Sequence, residues 1–220
     1  MINVRSPLRI SLGGGSTDVP SYYIKANGHV VTAAINRYVY VSVIKPFTEG
    51  IFLKYSELEK IKNIKDIKHS IIKETLNLLA PREKQIEITS LADIPSGTGL
   101  GSSGSFTVSL IKAIHAYNNN IITVDEIANL ACKIEIDILK EPVGKQDQYA
   151  SAFGGITSFA INKKGDVKHN SLIIDTQILH NLEDNLLLFF TGFERSASKI
   201  LLEQDIKSKE DDKEIIENLD

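Results

Sequence analysis

The sequence predicts an α+β protein, in which long strands are mixed with helices and two consecutive helices occur only in the second half of the chain. Segments rich in β-branched and aromatic residues, such as 29–35 and 38–44, indicate strands. Segments with apolar residues at helical spacing, such as 66–80 and 106–117, indicate helices. Because strands and helices do not alternate one by one, their order favours α+β over a repeated βαβ unit.

The composition is that of a globular protein. The chain has 220 residues, of which 42% are hydrophobic and 24% are charged, enough for one large domain or one domain with part of a second. The net charge of −3 provides no basic field for a nucleic-acid backbone, so no nucleic-acid partner is expected. Neither a signal peptide nor a membrane span is predicted, and the expected location is the cytoplasm. The single cysteine, Cys132, is interpreted as a buried helix residue.

Each predicted element follows from a local pattern in the chain. Strands are predicted at 2–5, 8–12, 29–35, 38–44, 51–55, 86–92, 156–161, 167–174 and 186–192. Helices are predicted at 19–27, 66–80, 102–117 and 123–139, within 144–155, and from Ser196 onward. The helix at 123–139 opens with the sequence TVDE, in which Thr123 and Glu126 can form a capping box.

The stretch PSGTGLGSSGS at 95–105 lies between a predicted strand and a predicted helix. A helix N-terminus has unpaired N–H groups and a positive dipole end, and glycines in front of it let an anion approach the backbone. The hydroxyls of Ser102, Ser103 and Ser105 can add contacts to phosphate or to a hard cation. The stretch therefore indicates a site for nucleotide phosphates.

Other interpretations of this glycine-rich stretch fit less well. A plain flexible turn does not require four glycines and three serines directly before a helix. Gly99, Gly101 and Gly104 match the dinucleotide-binding spacing, but Pro95 and Ser96 separate them from the strand and no second strand with an acidic end follows. A Walker A loop would need a lysine after the last glycines.

The same stretch resembles the phosphate loop of the superfamily of galactokinase, homoserine kinase, mevalonate kinase and phosphomevalonate kinase, the GHMP kinases. Their pattern is P-x-G-x-G-L-G-S-S-A, and Gly104 replaces the usual alanine. The resemblance implies an N-terminal domain like domain 2 of ribosomal protein S5 over 1–180, and the beginning of a ferredoxin-like C-terminal domain, incomplete, over 181–220. It also implies ATP as phosphate donor. The implied nucleotide contacts are Pro95, Gly97, Gly99, Leu100, Gly101, Ser102, Ser103 and Gly104.

A second stretch, PLRISLGGGSTD at 7–18, resembles the galactokinase sequence P-G-R-x-N-L-I-G-E-H-x-D. The resemblance implies that Arg9 lies beside the catalytic centre and that Asp18 binds sugar hydroxyls. Gly15 and Ser16 stand where galactokinases have glutamate and histidine, which implies a larger and differently lined sugar pocket. The implied substrate-binding residues are Gly14, Gly15, Ser16 and Asp18.

A third stretch, 135–155, resembles the family segment in which a helical glutamate and an aspartate flank the reacting phosphate. Glu135 and Asp147 have that spacing, and Glu135 lies at the flank of an apolar helix stripe. The resemblance implies that Ser103 and Glu135 ligate Mg²⁺ and that Asp147 orients or deprotonates the acceptor hydroxyl. Arg9 would balance developing negative charge.

The three stretches together resemble most closely a GHMP kinase whose acceptor is a seven-carbon sugar phosphate. Arg195, in TGFERSAS at 191–198, is the candidate for holding the distant phosphate of such a small-molecule partner. Two alternatives stay open: a kinase of an unphosphorylated sugar such as fucose or galactose, and a non-catalytic ATP- and sugar-binding protein of this fold. The sequence leaves the oligomeric state open, a homodimer included.

Overall fold

The computed structural model describes residues 1–190. The strands are β1 (Ile2–Gly13), β2 (Gly28–Ile44), β3 (Gly50–Lys54), β4 (Leu58–Ile61), β5 (Gln85–Ala92), β6 (Ile156–Ile161) and β7 (Val167–Ser171). The helices are α1 (Pro20–Tyr23), α2 (Ser70–Leu79), α3 (Ser102–Tyr117), α4 (Val124–Cys132), α5 (Gln146–Phe153) and α6 (Thr176–Asp184), with a 3₁₀ turn at Ile64–Asp66 and a π-helical turn at Lys133–Ile138.

The seven strands form one mixed sheet in which β2 is the central element. The order of hydrogen-bonded strands is β4-β3-β5-β2-β6-β7, and β1 pairs with β2. All pairs are antiparallel except β3 with β5. The 17-residue β2 pairs with β6 through its first half and with β5 through its second half. One long strand therefore joins the two halves of the sheet, and the predicted α+β class is confirmed.

Helix α3 is the core of the helical layer. Leu110 and Ile114 pack in a buried cluster with sheet residues such as Val41, whereas Val108 and Ile111 face a second buried cluster with α4 and α5. Apolar residues on both sides of a helix are expected when it lies between a sheet and other helices. Residues 95–101, named the phosphate loop here after the family loop that they resemble, lie at the N-terminal end of this buried helix.

Both long strands were predicted as two separate segments, and the structure shows why. The register of β1 against β2 changes between Pro7 and Arg9, where Leu8 faces three residues of β2. Pro7 has no N–H to donate to a ladder. Its carbonyl instead accepts the hydroxyls of Ser105 at 2.7 Å and Ser151 at 3.0 Å. The interruption is thus a bulge within continuous strands, and it attaches β1 to α3 and α5.

Several further predictions differ from the structure. Strand β4 was not predicted, because it is short, two of its four residues (LEKI) are charged, and it lies at the sheet edge. Helix α6 was not predicted either, and none of its residues is buried. The described part of the predicted strand at 186–192, residues 186–190, is irregular. The predicted helix from Ser196 and most of the predicted second domain at 181–220 lie outside the described residues, so the domain boundary stays a prediction.

Within residues 1–190, no helix combines the length and the apolar composition needed to cross a membrane.

Candidate active site

The loop between β5 and α3 has the backbone that its glycines predict. Gly97, Gly99 and Gly101 have φ angles of +78°, +77° and +76°, a conformation that side chains with a Cβ rarely adopt. Gly101 is the residue that caps α3. Gly99 is exposed, and no atom lies within 4 Å of the position where its Cβ would be. The loop therefore leaves open space in front of the helix N-terminus.

The remaining loop residues hold this conformation or face the open side. Leu100 packs against the buried sheet cluster, and the carbonyl of Pro95 accepts the Thr98 hydroxyl at 3.3 Å. Ser103 is exposed in the first turn of α3. Ser105, whose hydroxyl was expected to be available to phosphate, is fully buried and bonded to Pro7. The expectation for Ser105 is therefore wrong, since the helix turns its side chain toward β1.

Arg9 connects the phosphate loop to Asp147. Its backbone N–H donates to the carbonyl of Leu100 at 3.1 Å, and its Nη1 donates to the carbonyl of Gly99 at 2.7 Å. Its Nε donates to Oδ1 of Asp147 at 2.7 Å. The bulge before Arg9 gives β1 the register that makes these contacts. The arginine and the aspartate that the sequence predicts together are thus brought into direct contact.

Asp147 lies in the first turn of α5 and packs closely against α3. A Cβ on Gly104 would lie 2.7 Å from Cβ of Asp147, which is closer than real Cβ atoms approach. A Cβ on Gly101 would lie 3.2 Å from Cγ of Asp147. The glycine at 104, where the family pattern has alanine, is therefore matched to the close approach of α5. The side chain of Asp147 remains 27% exposed to solvent.

Glu135 lies on the π-helical turn and is buried to 2% exposure. A regular α-helix to Leu139 was predicted, but the N–H of Leu139 donates to the carbonyl of Ile134, five residues earlier. One extra residue in this turn rotates the side chains away from α-helical register. Glu135 consequently points into the protein rather than along the flank of the apolar stripe.

The carboxylate of Glu135 has one satisfied oxygen and one unsatisfied oxygen. Oε2 accepts the hydroxyl of Ser103 at 2.8 Å. Oε1 is buried and has no hydrogen-bond partner among the described residues. Burial raises the pKa of Glu135 to about 6, the nearby Asp147 acts in the same direction, and the hydrogen bond from Ser103 opposes the rise. A buried carboxylate in this state is strongly stabilised by a cation.

The donor set at Glu135 and Ser103 fits a small hard cation such as Mg²⁺. Carboxylate and hydroxyl oxygens are its preferred ligands, and Mg²⁺ is bound through few protein groups together with water and substrate phosphates. Over residues 1–190 there is no cluster of three or more His, Cys, Asp or Glu side chains that could hold a metal alone. The unsatisfied Oε1 is the observation that supports the fit.

The predicted sugar loop lies at the end of β1. Gly14 has a φ of +72°, and a Cβ there would lie 1.8 Å from the carbonyl oxygen of His29, so the fold requires glycine. Gly15 is exposed, and its nearest contact for a Cβ is Ser11 Oγ at 3.4 Å. Ser16 has a φ of +71°, a conformation uncommon for serine. The fold accounts for Gly14, but it leaves room for a side chain at Gly15.

Asp18 is buried to 1% exposure, in contrast to the open sugar loop. Its Oδ2 accepts the backbone N–H of Gln146 at 2.9 Å, at the start of α5. Burial raises the pKa of Asp18, while the hydrogen bond from Gln146 lowers it. The sequence analysis did not identify Gly144, which packs against this carboxylate. Its position two residues before a helix could have indicated a close backbone contact. Arg195 lies outside the described residues.

Comparison with known proteins agrees with this geometry. Residues 68–155, which include the phosphate loop, Glu135 and Asp147, match the family described as GHMP kinases N terminal domain. The chain contains a GHMP kinase N-terminal domain. Kinases of this family use ATP as the phosphate donor.

Similar proteins include sugar kinases of this family. The chain is 33% identical over 228 residues to the D-glycero-alpha-D-manno-heptose 7-phosphate kinase of Campylobacter jejuni, with 98% of the chain and 66% of that protein covered. It is 30% identical to the L-fucokinase/L-fucose-1-P guanylyltransferase of Bacteroides fragilis, with 90% and 25% covered. The chain thus spans 66% of the length of the first protein and 25% of the second.

A solved structure of the same family supports the fold. The crystal structure of a D-glycero-D-manno-heptose 1-phosphate kinase from Bacteroides thetaiotaomicron superposes with a TM-score of 0.82 at 25% identity. The alignment covers the whole of this chain and 76% of that chain. The predicted GHMP kinase fold is therefore confirmed.

Proposed function

We propose that this protein is a sugar kinase that transfers the γ-phosphate of ATP to the anomeric hydroxyl of D-glycero-D-manno-heptose 7-phosphate. The observation that carries the proposal is the contact of Arg9 with both Asp147 and the carbonyl of Gly99. It supports the assignment of Asp147 as the proton acceptor and of the adjacent glycine loop as the binding site for the phosphates of ATP. The similarity to a heptose 7-phosphate kinase supports the choice of acceptor.

The chain's own residues account for most of what phosphoryl transfer requires, which is positioning and charge neutralisation. The N–H groups of the phosphate loop and of the first turn of α3 bind the phosphates of ATP. Asp147 orients the acceptor hydroxyl and takes its proton as the oxygen bonds to phosphorus and ADP leaves. Arg9 balances the negative charge that spreads over the transferred group. When bound at Glu135 and Ser103, Mg²⁺ neutralises charge on the phosphates.

The sugar pocket is proposed to be lined by Gly14, Gly15 and Ser16. The exposed Gly15 has room for a side chain, so its lack of one widens the pocket rather than serving the fold. The loop carries no carboxylate at 15, and a like charge there would repel an acceptor that bears a phosphate. The distant phosphate is assigned to Arg195 by its sequence setting alone.

The proposed product belongs to the formation of GDP-heptose for bacterial surface polysaccharide. The test is a panel of acceptors at equal concentration, containing heptose 7-phosphate, mannose 6-phosphate, galactose and fucose, with release of ADP as the readout. We expect turnover of heptose 7-phosphate at the highest kcat/KM, and strongly lowered turnover by the Asp147→Asn variant. The proposal fails if no sugar phosphate is used by a chain that phosphorylates another acceptor.

A second candidate is a kinase of an unphosphorylated sugar such as fucose. The similarity to an L-fucokinase at 30% identity favours it. Efficient use of fucose together with rejection of both sugar phosphates would select this function. Binding of ATP and a sugar without release of ADP would instead indicate a non-catalytic domain.

A further inference from the structure

The carboxylate of Asp18 is built into the start of the helix that carries Asp147. Its Oδ2 accepts the N–H of Gln146, the first residue of α5, at 2.9 Å. Lys145, the residue at the N-cap position of α5, makes no capping hydrogen bond with its own side chain. The first N–H groups of a helix need an external acceptor, and a negative charge at this end is favourable. Asp18 supplies the acceptor from a distant loop.

Gly144 closes the other side of this carboxylate. A Cβ on Gly144 would lie 1.9 Å from Oδ2 and 2.3 Å from Cγ of Asp18, so only glycine fits there. With Gly144 and Gln146 against it, Asp18 is 1% exposed. In this arrangement the carboxylate is covered, and a sugar hydroxyl does not reach it.

The loop that carries Asp18 is itself fixed to β2. The hydroxyl of Thr17 accepts the N–H of His29 at 3.0 Å and donates to the carbonyl of Gly14 at 2.8 Å. A Cβ on Gly28 would lie 2.1 Å from the carbonyl oxygen of Thr17, so the two segments are in close contact. Asp18 therefore connects the first residue of α5 to a loop that is fixed on β2.

We propose that Asp18 is a positioning residue: it caps α5 and thereby fixes Asp147 against Arg9, without contacting the sugar. Asp147 directly follows Gln146, so a shift of this N–H moves the reacting carboxylate relative to the phosphate loop. A displacement of about 1 Å at a reacting group lowers rates by up to roughly 100-fold. The loss falls on the chemical step and leaves binding of the acceptor intact. The rate predictions rest on the proposed kinase reaction.

The first test needs no substrate. In Asp18→Ala, hydrogen exchange of the Gln146 amide should accelerate about 2- to 30-fold, the range expected when a helix cap is lost. Asp18→Asn keeps an acceptor oxygen and should retain the protection, because asparagine caps helices as well as aspartate. Unchanged exchange at Gln146 in Asp18→Ala would overturn the proposal, whether or not the chain transfers phosphate.

The second test separates kcat from KM. Asp18→Ala should lower kcat by about 10- to 100-fold and change the KM for the acceptor less than about threefold. Asp18→Asn should recover most of the rate. The matched control is Asp175→Ala, which removes the 2.8 Å cap on Gln177 of α6, a helix without site residues, and should leave the rate unchanged. A raised KM with unchanged kcat in Asp18→Ala would show direct sugar contact and refute the positioning role.

A double-mutant cycle tests the pairing with Gly144. Gly144→Ala displaces the carboxylate and should lower kcat as Asp18→Ala does. Once the carboxylate is absent, the added methyl group has room, so Asp18→Ala/Gly144→Ala should match Asp18→Ala within about twofold. Fully additive losses would contradict the proposed contact. Failure of the unmodified chain to phosphorylate any acceptor would refute the kinase function, while the exchange result would still decide the cap.

Discussion

The hydroxyl of Ser103 donates a hydrogen bond to Oε2 of Glu135 across 2.8 Å, which joins the first turn of α3 to the π-helical turn. The bond aligns an exposed hydroxyl and a buried carboxylate at the same side of the phosphate loop. It also leaves Oε1 of Glu135 without a partner in the described part of the chain. The oxygens of Ser103 and Glu135 therefore fit the ligand set that a small hard cation would require.

Glu135→Gln should raise the Mg²⁺ concentration needed for half-maximal activity. The substitution keeps the size of the side chain and removes the charge from one of few protein ligands. Activity at fixed ATP and varied Mg²⁺ measures the shift, which we expect to be about tenfold or more. The control Glu49→Gln removes an exposed carboxylate and should leave the magnesium curve in place. Coincident curves for Glu135→Gln and the unmodified chain would contradict the metal role.

The same substitution should stabilise the metal-free protein at neutral pH. Burial raises the pKa of Glu135 from 4.5 to about 6, so the native state favours the protonated form. Below pH 4.5 the side chain of Glu135 is neutral in the native and the unfolded state, so its burial does not lower the unfolding free energy. Above pH 6 it is ionised, and the buried charge destabilises the native state. The difference corresponds to about 2 kcal/mol of unfolding free energy.

Urea unfolding without Mg²⁺ at pH 4.0 and pH 7.5 tests this pH dependence. The unfolding free energy of Glu135→Gln should exceed that of the unmodified chain by about 2 kcal/mol at pH 7.5 and equal it at pH 4.0. Added Mg²⁺ should stabilise the unmodified chain more than the variant. A stability difference that is equal at both pH values would show that ionisation of Glu135 is not its source.

Asp147→Asn should lower the turnover rate strongly and leave ATP affinity nearly unchanged. The amide cannot take the proton of the acceptor hydroxyl, and the expected loss is about 10²-fold or more. Rate and nucleotide affinity are measured on the same preparation, with Asp184→Asn at the exposed end of α6 as the control. A variant that retains a near-normal rate would exclude Asp147 as the proton acceptor.

Gly104→Ala should slow the reaction although alanine favours helix formation. In an unconstrained helix this change stabilises by about 1 kcal/mol. Here the new Cβ would lie 2.7 Å from Cβ of Asp147, so α5 must shift and carry Asp147 away from Arg9. We expect kcat to fall at least about tenfold. Higher stability combined with an unchanged rate would mean that α5 adapts without moving the carboxylate.

The conformation of the phosphate loop could be predicted because it depends on the residue types within the loop itself. Gly97, Gly99 and Gly101 adopt the positive φ that glycine permits, and α3 begins directly after them. The contact between Arg9 and Asp147 was implied by family resemblance. The bond from Arg9 to the carbonyl of Gly99 depends on a bulge that forms only when β1 pairs with β2. No pattern within β1 alone specifies it.

The burial of Glu135 and of Asp18 could not be predicted from local patterns. The wheel of a regular α-helix places Glu135 at the flank of an apolar stripe, and the π-helical turn changes this register. Asp18 was assigned to the sugar, but its surroundings come from Gln146 and Gly144, more than 120 positions away. The burial and the hydrogen-bond partners of these two carboxylates depend on tertiary contacts. A sequence pattern can therefore identify the residue but not its partner.

The ion pair of Arg9 and Asp147 joins residues that are 138 positions apart. During synthesis on the ribosome, Arg9 is added first. Asp147 is added roughly 7 to 30 s later, at ordinary synthesis rates of about 5–20 residues per second. During that interval β1 and the phosphate loop can assemble, but the arginine has no counter-ion from α5. A nascent chain therefore acquires this ion pair only late in synthesis, and proteolytic removal of α5 would again leave Arg9 without Asp147.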